Sequence, residues 1–117
     1  MTVSESTCKG AVRSRCYRRG VIVVAMLTVR RAELERFRAY ETFAIARVRA
    51  YGGVLERAVG LDDPDPALVR ELHVLRFPDA EAFARFRADP LLAARQAERA
   101  AVIVGTEVWT GVDGPPY

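Results

Sequence analysis

The single histidine of the chain, His73, lies in an alternating stretch, and one carboxylate, Glu41, falls on an otherwise apolar helical face. At one hundred degrees per residue, Glu41 sits inside the arc set by Leu34, Phe37, Ala44, Ile45 and Val48, and a carboxylate pointing at a core needs a partner or a proton. His73 shares its side of a strand with Leu75 and Phe77, and Glu107 stands beside Trp109 with the opposite parity from Val104, Thr106 and Val108. If these faces all turn toward the helices, His73, Glu41 and Glu107 converge on one pocket. An imidazole oriented by a carboxylate is a competent general base near neutral pH, so these three are the candidate catalytic residues. Tyr40, Phe43, Tyr51, Trp109 and Arg76 are the candidate ligand-binding residues. A structural alternative stands beside this reading: Glu41 bonds Arg76 or Arg47, His73 is a satisfied histidine of a half-buried sheet, and the aromatics are plain core. Arg70 and Glu71 read as strand-surface or interface charges.

Other chemistry is limited by what residues 21 to 117 lack. That stretch has no Ser, Cys, Lys or Asn, which excludes Ser and Cys acyl-transfer nucleophiles and Schiff-base lysines. One histidine cannot supply the usual His or Cys metal cluster. Gly52-Gly53 follows a helix and precedes a strand, the reverse of a phosphate-binding turn. Neither a metal nor a cofactor is expected.

The formal charge of +3 is unevenly placed. Residues 1 to 20 carry Lys9, Arg13, Arg15, Arg18 and Arg19 against Glu5, while the remainder is close to neutral, with Arg alternating with acids along its helices. Nucleic-acid binding by the folded part is therefore disfavoured. The first 20 residues are polar and aperiodic, hold Cys8 and Cys16, and read as a disordered basic arm with reduced, incidental thiols. The apolar run Val21 to Val29 ends in Arg30-Arg31 without a small-residue cleavage site and is too short for a bilayer. It reads as a buried strand, with no membrane partner and a cytoplasmic location expected.

From Val21 onward the hydrophobic periods read strand, long helix, strand, strand, helix, strand. This is the βαββαβ order of an α+β, ferredoxin-like domain: a four-stranded antiparallel sheet with helices on one face. The spacing predicts strands over Val21 to Val29, Val54 to Val59, Val69 to Phe77 and Ala101 to Thr110. It predicts a helix over Arg31 to Tyr51, ended by Gly52-Gly53 and lacking a good N-cap. Asp62-Asp63-Pro64-Asp65-Pro66 is a surface loop. Pro78-Asp79 opens a second helical region, which Asp89-Pro90 breaks before a further helix over Leu91 to Arg99. The domain spans residues 21 to 112, and residues 113 to 117 form an extension. Both parities of the first strand are apolar, as are two rows of the third, Leu68, Leu72 and Val74 on one side and Val69, Leu75 and Phe77 on the other. A monomer would expose a large apolar patch, so a homodimer through the uncovered sheet face is expected.

Three segments carry a resemblance: Arg49-Ala50-Tyr51-Gly52-Gly53, Leu75-Arg76-Phe77-Pro78-Asp79-Ala80-Glu81-Ala82-Phe83, and Arg87-Ala88-Asp89-Pro90 with the Ala-rich helix after it. In these the chain resembles the dimeric α/β-barrel superfamily over about Val21 to Thr110. It is most similar to that superfamily's small domains of unknown function, and more distantly to the antibiotic-biosynthesis monooxygenase and NIPSNAP-type groups. The resemblance implies a pocket between sheet and helices lined by apolar side chains. Superfamily relatives include cofactor-independent oxygenases of aromatic polyketides, lactone isomerases, haem-degrading enzymes and proteins with no known reaction. Two functions stand at this point. One is a metal- and cofactor-free enzyme (oxygenase, cyclase or isomerase) acting on a hydrophobic, aromatic or polyketide-like small molecule with His73 as base. The other is a dimeric ligand-binding or accessory protein without turnover.

Overall fold

A computed structural model describes residues 20–117. The expected basic arm, with Cys8 and Cys16, lies outside these residues apart from Gly20. Strand β1 (Val21–Arg30) is followed by one 3-10 turn (Arg31–Glu33), helix α1 (Leu34–Ala50), strands β2 (Val54–Asp62) and β3 (Leu68–Phe77), helices α2 (Ala80–Arg87), α3 (Pro90–Ala94) and α4 (Gln96–Val102), and strand β4 (Ile103–Gly111). The sheet order is β2-β3-β1-β4 with every pairing antiparallel. This is the expected βαββαβ topology, and the helices pack on one face.

The lack of an N-cap ahead of α1 is real: Glu33 makes no side-chain cap bond. The hairpin loop fixes the helix entry instead, because Arg31 donates its backbone N–H to Ala67 O at 2.9 Å and its Nε to Pro66 O at 2.8 Å. That loop is shaped by two aspartates, with Asp63 Oδ1 accepting from the Asp65 N–H and Asp65 Oδ1 from the Ala67 N–H, each at 2.9 Å. At the other end of α1, Gly52 adopts φ +81° and the Gly53 N–H bonds Val48 O at 3.0 Å, a left-handed termination that glycine enters without penalty. Gly53 is also a close approach: a Cβ there would lie 2.7 Å from both Phe77 and Val48.

Helix α2 starts where Asp79 accepts from the Ala82 N–H at 2.7 Å, and α3 where Asp89 accepts from the Leu91 N–H at 3.1 Å with Pro90 in the first turn. Asp89 is buried and also takes Arg47 Nε at 2.6 Å, which ties the break between α2 and α3 to α1. That hydrogen bond with Arg47 holds the Asp89 carboxyl below its usual range. The expected helix over Leu91 to Arg99 is two helices divided at Arg95, and α4 runs to Val102. The last strand accordingly begins at Ile103, two residues later than the spacing predicts, because Ala100 and Ala101 favour helix over strand and extend α4.

Two apolar clusters form the core. One joins Val23, Ile45, Val48, Leu75, Phe77 and Ala82, with Phe83 and Phe86 packed on it; the other joins Leu27, Val29, Phe37, Val102 and Ile103. Both lie between the sheet and the helices. Among the described residues, no helix is long and apolar enough to cross a membrane.

Candidate functional site

The β1–β3 register sets Ala25 opposite His73, and the β2–β3 register sets Ala58 on its other side. Of these two, Ala25 lines the space above the imidazole, which a larger neighbour would fill. A cavity of ≈ 610 Å³ occupies this gap, with residues of both core clusters among its walls. Its apolar lining includes Val23, Leu27, Ile45, Val48, Phe83 and Phe86, and its polar lining Tyr40, Glu41, His73, Gln96, Arg99 and Thr106. The volume is that of an ordinary small-molecule site. Its mouth carries the exposed Thr106 and Val108 of β4 and Arg87 of α2.

His73 is buried, 4% exposed, between two carboxylates. Its Nε2 stands 2.7 Å from Glu71 Oε1, and its Nδ1 stands 3.6 Å from Glu41 Oε1. With the Nε2 proton donated to Glu71, the Nδ1 of a neutral ring presents its lone pair toward Glu41. At 3.6 Å the Nδ1 is within ion-pair reach of Glu41 without a hydrogen bond to it. Burial pushes the Glu41 carboxyl above its ordinary value, against the opposing pull of His73 and Arg99 and with a small push from Glu71. Glu41 lines the cavity whereas Glu71 stands behind the ring, so the arrangement runs from a fixed anion through the imidazole to the cavity wall.

Glu107 does not join them. Its register partner is Met26, while Ala25 pairs with Val108 and Leu27 with Thr106, so the even-numbered residues of β4 face the helices and Glu107 and Trp109 face away. The expected parity of this strand is reversed, because each of its two sets mixes apolar and polar residues and gives no clean alternation. The irregularity between Thr28 and Val29 compounds this, since it places Ile103 on the helix side and Gly105 off it. Glu71 takes the place expected of Glu107. Its position two residues before His73 on one strand was the signal, since alternate residues share a face.

Of the residues expected to bind ligand, Tyr40 alone lines the cavity. Phe43 lies beneath the Arg95 guanidinium, 3.9 Å from it to the ring centroid. Tyr51 packs edge-on to Phe86. Arg76 is on the far side of the sheet, with its Nε 2.8 Å from Glu56 and its Nη2 3.0 Å from Asp113, and Trp109 is 54% exposed on that side. The structural alternative for Glu41 also falls away, because Arg47 is bonded to Asp89 and Arg76 to Glu56 and Asp113. Gln96, Arg99 and Thr106 complete the polar wall without a sequence signal, since α4 and β4 bring them together only by packing. Among the described residues no group of three His, Cys, Asp or Glu side chains is arranged to hold a metal ion.

No family model and no curated protein matches the chain. Solved structures do. A point mutant of SnoaB, a cofactor-independent oxygenase from Streptomyces nogalater, is 22% identical, with 82% of this chain and 94% of that one covered at a TM-score of 0.57. A candidate antibiotic biosynthesis monooxygenase from Caulobacter crescentus CB15 is 18% identical over 88% of this chain and 98% of that one, at a TM-score of 0.59. An uncharacterized NIPSNAP-like domain protein from Burkholderia xenovorans is 20% identical over 82% and 89%, at a TM-score of 0.58. At these identities the likeness establishes the fold: the chain has the ferredoxin-like architecture that the monooxygenase-type and NIPSNAP-like structures share.

Proposed function

We propose that the protein is an enzyme that removes an acidic proton from a hydrophobic, aromatic or polyketide-like small molecule, with no metal or organic cofactor. The observation that carries this reading is a buried imidazole held by Glu71 at 2.7 Å beside a largely apolar cavity. Glu71 fixes the tautomer, His73 accepts the proton beside Glu41, and the apolar walls exclude water from the carbanion. The likeness to a cofactor-independent oxygenase supports dioxygen as the partner of that carbanion. In such a reaction the carbanion passes electrons to dioxygen, a carbon–oxygen bond forms, and loss of water leaves a carbonyl. The balance is CH2 + O2 → C=O + H2O, with no other oxidant. Tyr40 stays neutral in this setting, since burial pushes its phenol above the ordinary value.

The active unit in this proposal is a homodimer closed by the uncovered sheet face. Ile22, Val24, Met26, Leu72 and Val74 are only partly buried there, and no described element covers them. A stable interface on this face buries on the order of 1,500 Å² in total.

Anthrone is a suitable probe, because its methylene is acidified by the flanking rings and ketone. Oxygen uptake and quinone absorbance are followed with wild type and with His73→Ala. The expected result is catalysed uptake that falls about a hundredfold or more in His73→Ala while affinity stays within a few-fold. Retained rate in a folded His73→Ala overturns the base assignment, and a bound probe that wild type never turns over leaves a binding protein.

A further inference from the structure

Arg99 differs from the other described arginines that are withdrawn from solvent. Among the described residues, Arg47, Arg70, Arg76 and Arg95 are partly or fully buried, and each bonds a carboxylate within 2.8 Å. Arg99 is partly buried as well, yet among the described residues it has no carboxylate within ion-pair distance, and its one side-chain hydrogen bond goes to the neutral Thr106 hydroxyl, from Nη2 at 2.7 Å. A guanidinium has five donors in a rigid fork, so one bond to a hydroxyl leaves most of that capacity unused. Tyr40 is a second unused donor. Its side chain is 3% exposed, lines the same cavity, and its hydroxyl hydrogen bonds to no described residue. Arg99 and Tyr40 are close enough for the cation to pull on the phenol, and Arg99 pulls on Glu41 as well. A buried hydroxyl without a partner is costly unless something completes it, and a half-buried guanidinium with no paired carboxylate keeps its donors available for an anion.

We propose that Arg99, Tyr40 and Thr106 form an anion subsite, so that the cavity takes a hydrophobic molecule bearing a permanent acidic group such as a carboxylate. The apolar body lies against Val23, Ile45, Val48, Phe83 and Phe86, and the anionic oxygens meet Arg99 in the charge-assisted geometry that guanidinium favours. This inference rests on the cavity being the ligand site, as the proposed function has it, and adds the chemical class of the ligand.

Two matched fluorescent probes test it: 1-anilinonaphthalene-8-sulfonate, which is anionic, and N-phenyl-1-naphthylamine, the same arene without the anion. Both are titrated into wild type, Arg99→Gln, Tyr40→Phe, the mouth control Arg87→Gln and two cavity-filling variants, Ala44→Phe and Ala25→Leu. Arg87 lines the cavity too but is exposed and lies over the Phe83 ring, 5.4 Å from its centroid. The expected result is that a folded filling variant removes both probes, and that Arg99→Gln weakens the anion tenfold or more while changing the neutral probe less than twofold. Tyr40→Phe weakens the anion by a smaller factor, and Arg87→Gln leaves both within twofold. Filling variants that fold and leave both probes bound place them elsewhere, which overturns this inference and the cavity reading beneath it. Both probes lost on filling but equally affected, or equally unaffected, by Arg99→Gln overturns the anion subsite and leaves the proposed function standing. A loss in Arg87→Gln as large as in Arg99→Gln also overturns it, since the effect is then the field of the mouth.

Discussion

On the helix side of β1 and β3, Val23, Leu27, Val29, Leu75 and Phe77 lie within 7% of complete burial, and a cavity opens in this layer beside His73. On the opposite side, Ile22, Val24, Met26, Leu72 and Val74 are apolar too, but they stay partly exposed, and the ionic cluster of Arg76 with Glu56 and Asp113 stands toward the strand ends. One face therefore carries its polar groups at the centre of an apolar layer, and the other carries them toward its margin. An apolar centre with a polar rim is the pattern of a surface that meets another protein. Polar groups at an apolar centre cost free energy and persist where they have partners or a use.

The contrast predicts that disruption of the two faces differs in kind as well as size. Phe77 is fully buried and packs against Phe83 and Phe86, at centroid distances of 5.2 and 5.5 Å. Phe77→Ala is expected to cost about 3–5 kcal/mol in urea unfolding, with the assembly state of the folded fraction unchanged. Val74→Asp on the far face is expected to cost the monomer less, but, on the proposed assembly, to give a monomeric mass in light scattering where wild type gives a dimer, and to make unfolding independent of concentration. A Val74→Asp protein that keeps the wild-type mass and stability would remove the interface from this face. A Phe77→Ala protein that dissociates before it unfolds would mean that the two faces are not separable.

The topology was legible because its signals are local and redundant: short apolar or alternating runs at the strands, period 3.6 in the helix from Leu34, and Pro or Gly at most of the boundaries. His73 and Glu41 were legible for the same reason, each being a polar residue on an apolar face of its own element. Glu107 was misread because β4 has no clean alternation, and because the bulge beside Val29 changes its register in a way that only the paired strand reveals. Arg99 and Thr106 come from a helix and an edge strand whose contact follows from tertiary packing. Arg76 illustrates the reverse error, since a basic residue beside the buried Leu75 and Phe77 looks like part of the site until strand parity sends it to the other face.

The smallest expected effect concerns Glu41, and it sharpens the contrast because the far face has no counterpart to a carboxylate held at the centre of an apolar layer. Burial raises its folded pKa above the ordinary 4.5, which is the value expected in the unfolded chain. A carboxyl whose folded pKa is raised contributes stability that is fully present below the unfolded value and is lost as pH rises through the folded one. Stability is thus expected to decline from about pH 4.5 upward and to level off above the folded pKa of Glu41, with a slope from this group of at most about 1.4 kcal/mol per pH unit. The Glu41→Gln protein lacks that component, so its stability relative to wild type should improve as pH rises across the same window. The groups facing Glu41 set the upper end of the window. His73 and Arg99 lower its pKa and Glu71 raises it, so His73→Ala should extend the decline to higher pH and Arg99→Gln should do the same. Urea unfolding of wild type, Glu41→Gln, His73→Ala and the double variant at pH values from 4 to 8 measures both effects. If the difference between wild type and Glu41→Gln is flat across that range, Glu41 is solvated in the folded protein, and the centre of the helix-side layer is then no drier than its edge.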